Sequence, residues 1–281
     1  MKVAVVTGGN KGIGFAIARG LCEKFDGTVY LTARDETRGL NAIEELKKNG
    51  LNPKFHQLDI DNLESIQRFR DYIKEKYGGL DVLVNNAAIA YKNAATEPFG
   101  EQAENTVRVN YFGVLETCKA LFPLLRPYAR VVNLSSSAGH LLRIPGENMR
   151  KKFVDPNLTE EQLSELMKEF VESAKKNTHS EEGWGHSAYV VSKVGVSALT
   201  FIQQRKFDCD ERPDLVVNAV HPGYVDTDMT SHKGPLTIEE GAVAPLHCAL
   251  LPPEVKSPRG KYIWCDEKEV DWISGPVPSQ C

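Results

Sequence analysis

Thr7-Gly8-Gly9-Asn10-Lys11-Gly12-Ile13-Gly14 follows a short apolar run, Lys2 to Thr7, and opens a helical pattern over about 13–25. A strand that enters a glycine-rich turn and leaves as a helix is the start of a βαβ unit. Glycines there let the backbone turn sharply and approach a pyrophosphate, whose charge then sits at the positive end of the helix. The spacing TGxxxGxG is a variant of the dinucleotide fingerprint. It predicts dinucleotide binding through Gly8, Asn10, Lys11, Gly12, Ile13 and Gly14. An ordinary tight βα turn is the other reading of the same residues.

Outward from this turn the rhythm repeats. Thr28 to Thr32, Lys54 to Leu58, Asp81 to Val84, Arg130 to Leu134, Leu215 to Val220 and Lys261 to Cys265 read as further buried strands. Helical patterns at about 36–49, 62–77 and 102–125 separate the earlier ones. Short apolar strands spaced by helices predict a Rossmann-type, doubly wound α/β fold with a parallel sheet of about seven strands. Residues 1–281 form one domain in this reading. From about 138 to 186 the rhythm breaks. Thr159-Glu160-Glu161-Gln162 looks like a capping box, followed by Leu163, Leu166, Met167, Phe170, Val171 and Ala174 along one helical face. This predicts a helical insertion laid on the main sheet. Beyond Asp266 the tail reads as loosely packed.

Composition narrows the classes. Of 281 residues, 41% are hydrophobic and 26% charged, which excludes wholesale disorder. A net charge of −4 leaves no basic footprint for nucleic acid or an anionic membrane. No run of 18 apolar residues offers a membrane span, and Met1-Lys2 leads straight into strand-like sequence without a signal-peptide shape. Cys22, Cys118, Cys209, Cys248, Cys265 and Cys281 are scattered too widely for a zinc motif, so no metal is expected. They read as reduced, mostly buried thiols of a cytoplasmic protein.

The end of the second strand bears on which dinucleotide is bound. An NAD site places an acid there for the ribose 2′-OH, whereas this chain has Ala33 followed by Arg34. With Lys11 and Arg38, Arg34 provides cations for a 2′-phosphate, which favours NADP(H). A solvated helix face shared with Asp35 is the alternative for the two arginines. Asp59, ending the third strand, is placed for the adenine amino group or, alternatively, to cap the helix starting near Asn62.

Tyr189-Val190-Val191-Ser192-Lys193 puts a phenol and an ammonium at i and i+4 on one helix face. A free Tyr has a pKa of about 10, and a nearby cation lowers it toward useful proton exchange. Ser135-Ser136 ends the fifth strand, where parallel sheets hold their ligands. Asn85-Asn86-Ala87 ends the fourth strand, Asn110 lies in the following helix and Pro222-Gly223 ends the sixth strand.

In this order, the motifs resemble the short-chain dehydrogenase/reductase superfamily over nearly the whole chain. Thr32-Ala33-Arg34-Asp35, Phe55 to Asp61 and Tyr77 to Ala87 look like the NADPH-dependent carbonyl reductases. Ser136 and Tyr189 lie 53 residues apart, against about a dozen in most relatives, and an insertion here marks the monomeric members. The resemblance implies that Tyr189 is the general acid and that Ser136 hydrogen-bonds the developing alkoxide. Lys193 would hold the ribose and depress the Tyr189 pKa, and Asn110 would order the helix and a water-linked proton route. The resemblance implies that the second serine of the pair, Ser136, is the catalytic one; the two point in opposite directions at a strand end, so only one can face the substrate. Further cofactor contacts implied are Ile60, Asn86, Ala87, Pro222, Gly223, Val225 and Thr227.

Ile89, Ser137, Ala138, Tyr224 and Met229 are the expected substrate wall beside Ser136 and Tyr189, with Trp184 closing from the insertion. Such a lining suits quinones, aromatic and lipid-like ketones, and aldehydes. The chain departs from the pattern at Ala88, where the family has Gly, at His221, where vertebrate carbonyl reductases carry Cys, and at Tyr224, where they carry Trp. The leading expectation is a monomeric, cytoplasmic, NADPH-dependent carbonyl reductase acting on small carbonyl compounds. A hydroxysteroid or hydroxyprostaglandin-type dehydrogenase and a catalytically silent NADPH-binding protein are the alternatives.

Overall fold

The computed structural model of the chain describes residues 1–92 and 94–279. The first half runs β1 (Val3–Val6), α1 (Gly12–Lys24), β2 (Thr28–Ala33), α2 (Glu36–Lys48), β3 (Lys54–Gln57), α3 (Leu63–Tyr77) and β4 (Leu80–Asn85). Next come α4 (Phe99–Val107), a π-helical turn (Arg108–Gly113), α5 (Val114–Leu121) and β5 (Leu125–Leu134). After α6 (Glu147–Phe153) and α7 (Glu160–Lys176), the chain continues through α8 (Ala188–Asp208), β6 (Val216–Val220), α9 (Ile238–Ala249), β7 (Tyr262–Ile263) and β8 (Glu269–Val270).

The sheet order is β3-β2-β1-β4-β5-β6-β7-β8. All neighbours are parallel except the last pair. The strands β1 and β6 are buried along their whole length because helices cover both faces. On one face α1, α2 and α9 close the core, and on the other α4, α5, α7 and α8 do so. The order reverses between β1 and β4, which opens a crevice at the carboxyl ends of these strands.

Several expectations change. The sheet has eight strands, because the tail expected to be loose folds back as β8 against β7. Trp272 explains this return. Its ring lies 4.9 Å from that of Phe201, and its Nε1 donates to Gly139 O at 2.6 Å. A large aromatic with a satisfied polar edge is enough to dock a short segment. The strand β3 is the sheet edge rather than a buried strand, with Lys54 and Gln57 exposed. The helix expected over about 102–125 is two helices joined by the π turn, and it ends earlier because Pro123 follows α5. Cys22, Cys118, Cys209 and Cys248 are free thiols. Cys265 is disulfide-bonded, contrary to the expected reduced state. The folded-back tail covers this end of β7, where Trp264 Nε1 donates to Ser279 O at 3.3 Å. Cys281 lies outside the described residues.

The capping box and apolar face of the insertion form as read, but its helix α7 lies on the helices α4 and α8 rather than on the sheet. Thr159 Oγ1 accepts from Gln162 N at 3.2 Å and Gln162 Oε1 accepts from Thr159 N at 2.9 Å, closing the capping box. Leu163, Leu166, Met167, Phe170 and Ala174 are buried where α7 packs on α4 and α8. Trp184 belongs to this same core and does not wall a substrate pocket. It is 1% exposed, with its ring centroid 5.4 Å from Phe170 and 6.2 Å from Phe153. Its size and the two neighbouring rings draw it inward. Trp184→Ala is therefore expected to cost about 3–5 kcal/mol in urea-denaturation stability, the range for emptying a large aromatic site.

Candidate active site

The crevice is a cleft of about 420 Å³. Its floor is the glycine-rich turn. Gly8 and Gly12 have φ of +64° and +58°, in the left-handed region. A Cβ on Gly14 would stand 2.3 Å from Asn86 Nδ2 and 2.5 Å from Gly8 O, so this position tolerates no side chain. The turn is braced from β4. Asn86 Nδ2 donates to Thr7 O and Gly8 O at 2.9 and 3.0 Å, and Thr7 Oγ1 accepts from Asn86 N and Ala87 N at 3.0 Å. Neither brace is visible in the sequence, where Asn86 reads as a ligand contact and Thr7 as a strand residue.

Among the described residues no side chain caps the start of α1, α4, α5 or α6, whereas Asp35, Asn62, Thr159, Ser187 and Thr237 cap α2, α3, α7, α8 and α9. The first amides of α1 thus lie unclaimed beside the cleft, the arrangement that takes a phosphate. Arg34, Arg38 and Lys11 stand around the same cleft. Lys11 Nζ pairs with Asp228 Oδ2 at 2.5 Å and Arg38 Nε with Asp35 Oδ2 at 3.5 Å, while Arg34 has no carboxylate partner among the described residues. Asp59 borders the cleft but does not cap α3, a task performed by Asn62, whose Oδ1 accepts from Ser65 N at 2.9 Å. A glycine cradle, an uncapped helix end and three surrounding cations fit a phosphorylated dinucleotide such as NADPH.

Of the other cofactor candidates, Asn10, Ile13, Ile60, Ala87, Pro222 and Thr227 also line the cleft. Gly223 and Val225 do not. Val225 is buried behind the wall, where Gly241 lets α9 approach it. Among the substrate candidates, Ile89 and Met229 line the cleft and Ser137 and Tyr224 fall outside its lining. The Ser137 amide instead donates to His221 Nδ1 at 2.9 Å.

At the inner end, α8 brings Tyr189 and Lys193 into the cleft wall. Burial raises the Tyr189 pKa, and a hydrogen bond with Ser136 opposes that rise. The phenol therefore rests protonated, the state a proton donor needs. Ser135 borders the cleft but its hydroxyl is engaged, with its Oγ 2.7 Å from Ser197 Oγ, whereas Ser136 falls outside the cleft's lining. Ser136 Oγ accepts from Ala138 N at 3.2 Å and keeps its own proton for donation. Asn110 sits in the π turn, whose wider coil aims its side chain at the post-β4 segment. Its Oδ1 accepts from Ile89 N at 2.8 Å, and its Nδ2 donates to Ile89 O and Ser192 Oγ at 2.9 and 3.1 Å.

Lys193 is buried, and its Nζ donates to Leu134 O at 2.7 Å and stands 5.8 Å from the Tyr189 ring centroid. Burial lowers its pKa from 10.5 to about 8. A folded-state value below the unfolded one means that the protonated amine burdens the fold below about pH 8. That burden fades as the pH rises toward 10.5. Relative to wild type, Lys193→Met is expected to gain stability in the cofactor-free protein as the pH falls from about 10.5 to about 8, and to change no further below that. Urea titrations at the two pH values check this.

Comparison with known proteins agrees with this geometry. Residues 2–147 match the short chain dehydrogenase family. The chain is 49% identical over 272 residues to carbonyl reductase (NADPH) 1 of Rattus norvegicus, covering 96% of this chain and 98% of the relative. It is 49% identical over 273 residues to the Homo sapiens protein of the same name, with the same coverage. The solved structure of salutaridine reductase from Papaver somniferum superposes with a TM-score of 0.84 at 33% identity, covering 93% of this chain and 99% of that one. With a glycine-rich cleft, a Ser–Tyr–Lys cluster and relatives matched end to end, the chain belongs to the short-chain dehydrogenase family, in its carbonyl reductase branch.

Proposed function

We propose that the protein is an NADPH-dependent carbonyl reductase that converts aldehydes, ketones and quinones to alcohols or hydroquinones, with broad specificity. The observation that carries this reading is Tyr189 beside buried Lys193 in the wall of a cleft whose floor fits a dinucleotide phosphate. The carbonyl reductase relatives support the same class and do not favour the two alternatives. NADPH, when bound, supplies the hydride.

The chain's own groups handle position and protons. The amides at the start of α1 would hold the pyrophosphate, and Arg34, Arg38 and Lys11 the 2′-phosphate. The two carboxylates now on Lys11 and Arg38 share those cations, which leaves Arg34 without a carboxylate among the described residues. Ser136 Oγ donates to the carbonyl oxygen and stabilises the negative charge that develops there. Tyr189 gives its phenolic proton to that oxygen, and the ammonium of Lys193 steadies the phenolate left behind. Lys193 would also hold the ribose hydroxyls. Asn110 keeps Ile89 and α8 in register through the bonds described above. Ile89 and Met229 give the substrate side an apolar surface with few fixed polar groups, so selection rests on shape, which discriminates modestly.

NADPH consumption with a quinone, an aromatic aldehyde and an α-dicarbonyl, with NADH in parallel, is the test. Turnover of several members with NADPH preferred is expected, and none with any member overturns the reading. Tyr189→Phe is expected to cut kcat by about 10²–10⁴-fold while NADPH still binds, the usual contribution of a positioned acid.

The proposed enzyme works as a monomer in the cytoplasm. Support for the monomer comes from α7, which packs across α4 and α8 and covers that face of the two helices. The use of a reducing cofactor and four free thiols support that compartment, against which the disulfide at Cys265 stands. Light scattering at micromolar concentration is expected to give the chain mass of 31.2 kDa; a stable dimer or tetramer overturns the assembly.

A further inference from the structure

We infer that His221, in concert with Tyr262, is a positioning residue that holds the Ser136–Ser137 peptide and thereby aims the Ser136 hydroxyl. The inference rests on the reductase reading of the Ser136–Tyr189 pair.

A single peptide plane is held at both of its polar ends. Its carbonyl, Ser136 O, accepts from the Tyr262 hydroxyl. Its amide, Ser137 N, donates to His221 Nδ1 at 2.9 Å. The two anchors come from different parts of the sheet. His221 lies just past the end of β6 and Tyr262 lies in β7. A peptide pinned at both ends cannot rotate about the Cα–C bond of Ser136, and the direction of the Ser136 side chain follows. Ser136 needs this restraint because it stands outside β5, at the start of a single 3₁₀ turn covering Ser137–Gly139, with φ −171° and ψ 164°. Its own strand ladder ends one residue earlier, where Ser135 N donates to Val220 O at 2.8 Å.

The chemistry of His221 suits an acceptor of backbone amides. Nδ1 takes the Ser137 amide and, at 3.4 Å, the Gly223 amide, so it carries no proton and the ring proton sits on Nε2. Nε2 is buried without a hydrogen-bond partner among the described residues. A buried ring nitrogen left unpaired is costly, so this histidine is held for what Nδ1 does. The ring is 2% exposed and lies against Trp264, with centroids 4.3 Å apart, which fixes its plane. Burial, with the nearby Arg143 cation, lowers its pKa to about 4, so the acceptor persists through neutral pH. Burial raises the Tyr262 pKa, which keeps its phenol a donor. One bridge from His221 therefore couples the loop that carries Ser136 to the Pro222-Gly223 loop at the cofactor cleft.

The test is a double-mutant cycle. Quinone reduction and NADPH binding are measured for wild type, His221→Leu and His221→Asn, each with Ser136 intact and with Ser136→Ala. Asn offers an oxygen near the place of Nδ1, and Leu offers none. With Ser136 intact, His221→Leu is expected to lower kcat about 10-fold, since small misplacements of a catalytic group carry losses up to about 10²-fold. NADPH affinity is expected to stay within about twofold, and His221→Asn to recover most of kcat, as the amide acceptor is restored. With Ser136→Ala, the same Leu substitution is expected to cost less than about twofold, because the hydroxyl it aims is gone. Equal losses in both backgrounds, or a His221→Leu enzyme with wild-type kcat, overturn the inference. If His221→Leu does not fold, His221→Asn and His221→Gln carry the test. The Asn enzyme is then expected to be active and the longer Gln impaired, and equal kcat values overturn the inference. A wild type that reduces no carbonyl overturns the reductase reading itself, an outcome visible before any variant is made.

Discussion

A protonated amine buried with one backbone carbonyl for a partner is the constraint around which this molecule is arranged. Lys193 is 4% exposed, and its nearest acceptor is Leu134 O, at the last residue of β5. Holding such a charge inside requires that α8 be fixed against the sheet with little freedom, because a loosened helix would flood or expel it. The fixing is done by polar side chains as well as by apolar ones. Asn133 in β5 donates to Thr200 Oγ1 and Gln203 Oε1 of α8 at 2.9 and 3.0 Å, and it accepts from Asn85 of β4 at 2.8 Å. Ser135 and Ser197 close the same seam nearer the cleft.

This seam explains why the reacting groups come from distant parts of the sequence yet share one small volume. Four parallel strands end at the same level, and each delivers something different there. The segment after β1 turns through glycines, the segment after β4 supplies Asn86 and Ile89, and β5 leads into Ser136. The end of β6 supplies His221 and Pro222. The helices add Asn110 from a π turn and Tyr189 and Lys193 from α8. Each contributor is tied to its neighbour by a short bond. Asn86 reaches the first turn, Asn110 reaches both Ile89 and Ser192, and His221 reaches the peptide after Ser136. The site is thus a ring of crosslinks between strand ends, and its stiffness is a property of the ring rather than of any one loop.

Much of this was legible in the chain itself. Local rules covered β1, its glycine turn and α1, because the chemistry of a sharp turn and a helix end is contained in eight residues. The capping box at Thr159 and the apolar face behind it were legible for the same reason. Trp184 was misjudged because its neighbours Phe153 and Phe170 lie 31 and 14 residues away, and no local pattern says which large ring goes inward. The eighth strand was missed because two residues carry no period, and what docks them is Trp272 reaching Phe201 and Gly139. The π turn at Asn110 left no trace in the apolar spacing of its helix.

The sequence by itself determined the first seven strands, their order along the chain, the glycine turn and the kinds of side chain available for proton and hydride chemistry. These depend on residues near one another in the chain, where sterics and hydrogen bonds act over a turn or a strand. Which of two adjacent serines turns toward Tyr189 was decided by Ser197 and Ala138, the partners each hydroxyl found. Whether Lys11 stands free or on Asp228, and which backbone amide the His221 ring accepts from, likewise depended on partners 217 and 84 residues away. Such contacts form where the sheet brings strand ends together, and only the tertiary structure holds that distance information.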